Sequence, residues 1–174
     1  MDRPTRPDLS ITIQVLNEEE LIDYAPDERY WNLWKINFMG SSDEIIKQAK
    51  ANIKLVVIRI IFHNDSENSI PFEFRNLKCK AELLGLSVQD DSGYQIKAEH
   101  GLLLRLKPSD RAMPILEPDG EIVYDLVGEV FDEWLKFPGA NYRIPENQIL
   151  NLSFHYQGNS SPSVRYEVSQ SATQ

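Results

Sequence analysis

Three histidines, His63, His100 and His155, and a single cysteine, Cys79, are the side chains best suited to proton transfer or nucleophilic attack in this chain. Nucleophilic catalysis needs a Ser, Cys or Thr beside a base that takes its proton. No serine occupies a G-x-S-x-G elbow, and Cys79 lies in "KCK" on a strand-like segment, the usual setting of an inert, partly buried thiol. His63 and His155 share a context: each follows a phenylalanine near the end of a long apolar run, in "FHND" and "FHYQGN". If those two strands paired, the imidazoles would meet near Asp65 as a candidate site for a divalent metal. No H-x-H or H-E-x-x-H spacing fixes two ligands locally, so the sequence assigns no metal, no cofactor and no catalytic residue.

Oxygen-rich segments offer a second kind of chemistry. "NDSENS", "DDSG" and "EPDGE" each carry acids on a short loop, as calcium would require, but none matches a twelve-residue calcium loop. Asp, Asn, Ser and Gly are also the residues that turns demand for conformational reasons, so these segments read as corners. Paired carboxylates for glycoside hydrolysis can be drawn in many ways from 27 acids, and sequence supplies no distance between them. A phosphate-cradling glycine loop is absent.

Aromatic residues complete the inventory. Trp31, Trp34 and Trp134, with Tyr24, Tyr30, Tyr142 and Tyr156, lie among acids and asparagines, most densely in "DYAPDERYWNLW" and "FDEWLKFPGANY". Such residues build either a stacking platform for sugar rings or a protein-binding patch, although tryptophan at an alternating strand position usually belongs to a core.

At 174 residues, with 41% hydrophobic and 26% charged residues, the chain has the balance of a globular protein and the length of one domain, 1–174. Residues 1–8 and 169–174 are expected to fray. A formal net charge of −9 argues against a phosphate backbone as partner, since that binding rests on Lys and Arg displacing counterions. A basic protein partner or a polyol surface fits the charge better. A lone cysteine permits no intrachain disulfide and favours a reducing compartment, so the expected location is cytoplasmic. The segment after "MDRPTRPDLS" is no signal-peptide core, and no apolar run approaches the roughly 18 residues of a membrane span. The Asn-x-Ser matches at Asn64, Asn151 and Asn159 are then expected to be fortuitous.

These residues need a frame, and the dominant period is two. "LSITIQVL" alternates Leu9, Ile11, Ile13 and Val15 with polar partners, and "RYWNLWKINFMG" resumes the alternation. "NEEELIDYAPDERY" between them reads as a loop or short helical turn, and "SSDEIIKQAKAN" carries the best helix signal, with Ser42 as N-cap. "NIKLVVIRIIF" is apolar on both sides: Val56, Ile58, Ile60 and Phe62 point one way, and Ile53, Leu55, Val57 and Ile61 the other. Such a strand needs cover on its second face, where Arg59 reaches for the rim. After the "HNDSENS" corner come "IPFEF", a strand broken at Gly85, the hairpin closed by "DDSG", "GLLLRLKPSD", a turn and strand in "LEPDGEIVYDLVGEV", and a last hairpin tipped by "QGNSSP".

Eight or nine short strands with one short helix predict an all-β fold, an antiparallel β-sandwich. The "EPDGE" turn, the later "FPGANYRI" and the closing hairpin resemble in architecture the immunoglobulin-like sandwiches found in many bacterial accessory proteins. That resemblance transfers no functional residue.

The function expected is a non-catalytic protein-interaction module, such as an accessory, inhibitor or immunity-type factor. A carbohydrate-binding module and a hydrolase of unknown substrate are the alternatives. Loops carry function more often than core strands, so the expected interaction surface is the acidic aromatic loop of Asp23, Tyr24, Asp27, Glu28 and Tyr30, with Trp134 as an anchor.

Overall fold

Alternating side chains build the first strand, β1 (Leu9–Val15), with Leu9, Ile11 and Ile13 buried and their neighbours exposed. In this computed structural model the described residues are 8–24, 42–44, 47, 54–72, 85–100, 115–137 and 139–168. A short helix, α1 (Glu18–Ile22), follows β1. Asn17 caps it by accepting from the Glu20 amide, and the Asn17 amide in turn donates to the Glu20 carboxylate. Asp43, Glu44 and Lys47 are helical as well, while the strand expected around Trp31 and Trp34 lies outside the described residues.

The two-sided apolar passage is β2 (Lys54–Asn64), followed by the two-residue β3 (Ile70–Pro71) and then β4 (Leu86–Asp90). Next come β5 (Glu99–His100), β6 (Ile115–Leu116) and the long β7 (Glu121–Phe131). The hairpin β8 (Trp134–Phe137) and β9 (Ala140–Arg143) precedes β10 (Ile149–Tyr156), β11 (Asn159–Ser160) and β12 (Val164–Glu167). Among the described residues four of the twelve strands have only two residues, too short to show a period in the sequence.

All strand pairings among the described residues are antiparallel. One sheet runs β1-β2-β7-β8-β9-β5; a second centres on β10, flanked by β4 on one side and by β12 and β11 on the other; β3 and β6 form a small ribbon. The protein is therefore mostly β, and its sheets include a curled half-barrel.

The inner faces share one core. Val56, Ile58, Ile60 and Phe62 of β2 meet Leu150, Leu152, Phe154 and Tyr156 of β10, with Val88, Leu126 and Leu135 around them. Tyr142 crosses between sheets, its hydroxyl donating to the Leu86 carbonyl at 3.2 Å; burial pushes that phenol up to about 12. Along another edge β1 lies against β10, β11 and β12, and the buried Asn159 amide donates to the Leu9 carbonyl at 2.7 Å.

Gly128 lies on the inner face of β7 where β8 presses closest. A methyl group there would overlap the edge of the Phe137 ring and lie 2.5 Å from the Lys136 carbonyl oxygen. Moving β8 off β7 is the only relief, so Gly128→Ala should cost about 2 kcal/mol, read as a lowered urea midpoint with an unchanged slope.

Candidate interaction surface

The strand that fills the core with one set of side chains presents the other set on the outer face of the six-stranded sheet. Register places Gln14, Arg59 and Asp125 in one row across β1, β2 and β7, and Thr12, Ile61 and Val123 in the next. Ser10, His63 and Glu121 occupy the row beyond. On β8 the same face carries Trp134 and Lys136, because their neighbours Leu135 and Phe137 point into the core.

Arg59 grips Asp125 through two parallel bonds, Nε to Oδ1 at 2.9 Å and Nη2 to Oδ2 at 3.0 Å. This cross-strand fork replaces the rim position that sequence suggested for Arg59: a carboxylate directly opposite in register is nearer than solvent. With the side chains 35% and 22% exposed, screening holds its contribution to roughly 0.5–1 kcal/mol. Tyr24 adds a third contact, its hydroxyl donating to Asp125 Oδ2 at 3.2 Å. The chain leaving α1 is thereby fastened onto the sheet.

The residues expected to form the interaction surface divide as follows. Asp23 closes α1 as its C-cap and is exposed; Tyr24 is half-buried against the fork. Asp27, Glu28 and Tyr30 lie outside the described residues. Trp134 is half-buried and opposite Phe131 in register, roughly 20 Å along β7 from Asp125. Lys136 stands over the Phe131 ring at 5.3 Å. Tyr24 and Trp134 thus belong to one sheet face without touching. Beside Tyr24 on that face stand Asp125 and, one row further from Trp134, Val123; neither was singled out by sequence, although the alternation of "EIVYD" is the signal that places them.

His63 and His155 do not meet. β2 and β10 belong to different sheets whose inner faces share the core, so the two imidazoles stand on opposite outer surfaces. His63 Nδ1 is 2.7 Å from Asp65 Oδ1 and Nε2 is 3.1 Å from Asp119 Oδ1. The two carboxylates sit at opposite ring nitrogens and do not converge on a common point. Nδ1 of His155 bonds the Ser160 hydroxyl across the β10–β11 turn, and its Nε2 is 3.4 Å from the Ser153 hydroxyl. Among the described residues no group of three or more His, Cys, Asp or Glu is arranged to hold a metal ion. Cys79 lies outside them. No helix of the described residues is long and apolar enough to cross a membrane.

The oxygen-rich segments are corners. Asn64 organises "HNDSENS" from inside. In "DDSG", Asp90 Oδ1 accepts from the Ser92 hydroxyl and amide and from the Tyr94 amide, which holds its carboxyl below the ordinary range. Asn64 and Asn159 are buried with their amide nitrogens donating to backbone carbonyls, so neither is presented for glycosylation in the folded chain.

No protein-family model matches the chain, and no curated protein matches it. Among solved structures, the yjhA protein from Bacillus subtilis is similar at 15% identity over 58% of this chain and 56% of that one, with a TM-score of 0.26. The chain thus spans just over half of that protein's length, and a likeness of this size carries no argument.

Proposed function

We propose that the protein is a non-catalytic interaction module, of the accessory, inhibitor or immunity type, that docks a basic protein on the outer face of its six-stranded sheet. The observation that carries this reading is Val123. It sits on a central strand yet is 52% exposed, beside the half-buried Ile61 and inside a frame of Thr12, Arg59, Glu121 and Asp125. An apolar centre within a charged rim is the anatomy of a protein-binding patch. A net charge of −9 favours a partner of opposite sign. We read the architecture that presents this face as an immunoglobulin-like sandwich; the shared core and the Tyr142 bridge between sheets support that reading.

Immobilised protein incubated with an extract of its native cells should retain a basic protein, and Val123→Asp should reduce that capture at least tenfold without changing the thermal midpoint. Tyr94→Asp, at the exposed connection between β4 and β5, should leave capture intact. Equal capture by wild type and Val123→Asp, or none by either, removes the proposal.

A further inference from the structure

His63 is held by acids at both ring nitrogens. Nδ1 meets Asp65, on the corner that follows β2, and Nε2 meets Asp119, on the turn between β6 and β7. A neutral imidazole carries one N–H, so it can donate to only one of these carboxylates; the other would face a lone pair. The geometry is therefore satisfied only by the imidazolium.

Every ionisable group placed around the ring among the described residues is an acid. Asp8 precedes β1, and its carbonyl accepts from the Asp65 amide. Asp65 and Glu67 lie on the corner, Glu117 and Asp119 on the turn, and Glu121 is opposite His63 in register on β7. The hydrogen bond that His63 donates to Asp65, ahead of the one it donates to Asp119, raises the His63 pKa above its ordinary 6.5, and Asp65 is lowered by the same bond and by the Ser10 hydroxyl.

We propose that His63 is a proton-operated latch: charged, it ties the 117–120 turn to the corner after β2, and on losing a proton it keeps Asp65 and releases Asp119. Asp65 is retained because its bond is shorter and Ser10 holds it in place. Asp119 is 96% exposed and has water to turn to. Its backbone is in the left-handed region at φ 56°, so the latch clasps a turn that is strained for a non-glycine residue. Backbone bonds between Asn64 and residues 119 and 120 keep the turn attached, so release loosens it without unfolding it.

The sign follows from linkage. A histidine whose folded pKa is raised contributes stability that is complete below 6.5 and is lost as pH rises through the folded midpoint. Nitrogen-15 and proton NMR of the intact chain across pH 5–9 tests the latch. The His63 midpoint should lie above 6.5; above that midpoint the ring should carry its proton on Nδ1, the less common tautomer; and the Asp119 and Gly120 amides should shift and exchange faster with the same midpoint. Asp119→Asn should keep the Nδ1 tautomer and lower the midpoint, and His63→Gln should abolish the amide transition. A midpoint at or below 6.5, a neutral ring protonated on Nε2, or turn amides indifferent to His63 would each overturn the proposal.

Discussion

Replacing Phe62 with alanine should destabilise the protein by about 4 kcal/mol, the largest effect expected of any single truncation in the core. Phe62 is fully buried at the meeting point of both sheets. Its ring centroid lies 4.7 Å from Phe72, 5.4 Å from Tyr156 and 6.0 Å from Phe154, in tilted and edge-on arrangements that suit aromatic quadrupoles. Removing it takes away the transfer energy of the ring and leaves a hole whose walls come from two separate stretches of chain, β10 and the segment just after β3, so no one element can collapse into it. Phe62→Leu refills most of the volume and should cost less than half as much. Equilibrium urea denaturation decides the matter: a loss under 1 kcal/mol for the alanine variant would mean that the aromatic cluster does not bind the sheets together.

Asn64→Ala should cost about 3 kcal/mol for a different reason. The side chain is fully buried, and its Nδ2 donates to the carbonyls of Asn68 at 2.8 Å, Leu116 at 3.0 Å and Glu117 at 3.1 Å. Its Oδ1 accepts from the Ser66 amide at 2.9 Å and hydroxyl at 2.8 Å. Truncation leaves the buried Leu116 carbonyl without its donor, a loss of about 1–3 kcal/mol, and removes four further bonds to the half-buried or exposed Ser66, Asn68 and Glu117, whose groups water can partly satisfy. Asn64→Asp keeps the shape but aims a carboxylate oxygen at three carbonyls. That substitution should be severe at pH 7 and milder as pH falls, because a carboxyl raised in the folded state binds its proton more tightly there than in the unfolded chain. Urea midpoints at pH 7 and pH 4.5 provide the check; identical losses at both would show that the aspartate does not take the asparagine's place in the network.

Much of this fold is legible in strand parity. The alternation of β1 and the orientation of Val56, Ile58, Ile60 and Phe62 follow from period two alone, and so do the "EPDGE" turn into β7 and the last hairpin. Continuing the count to Asn64 points it inward as well, yet its side-chain chemistry suggests a surface turn; tertiary acceptors from residues 116 and 117, more than 50 positions away, reverse that suggestion. The β8–β9 hairpin is hidden because "WLKFPGANYR" is short and its Pro-Gly pair reads as loop. Of the candidate surface, Tyr24 and Trp134 could be named from aromatic density. The Arg59–Asp125 fork could not, since one-dimensional spacing carries no register between strands 66 residues apart.

The bond from Asn159 to the Leu9 carbonyl joins groups 150 positions apart. During vectorial synthesis the first strand therefore leaves the ribosome long before its last neighbours exist. Closing a loop of that span costs on the order of 4 kcal/mol in chain entropy, recovered only once the terminal hairpin arrives. Contacts of such sequence separation form slowly, so this one bond limits how early the packing of β1 can be complete.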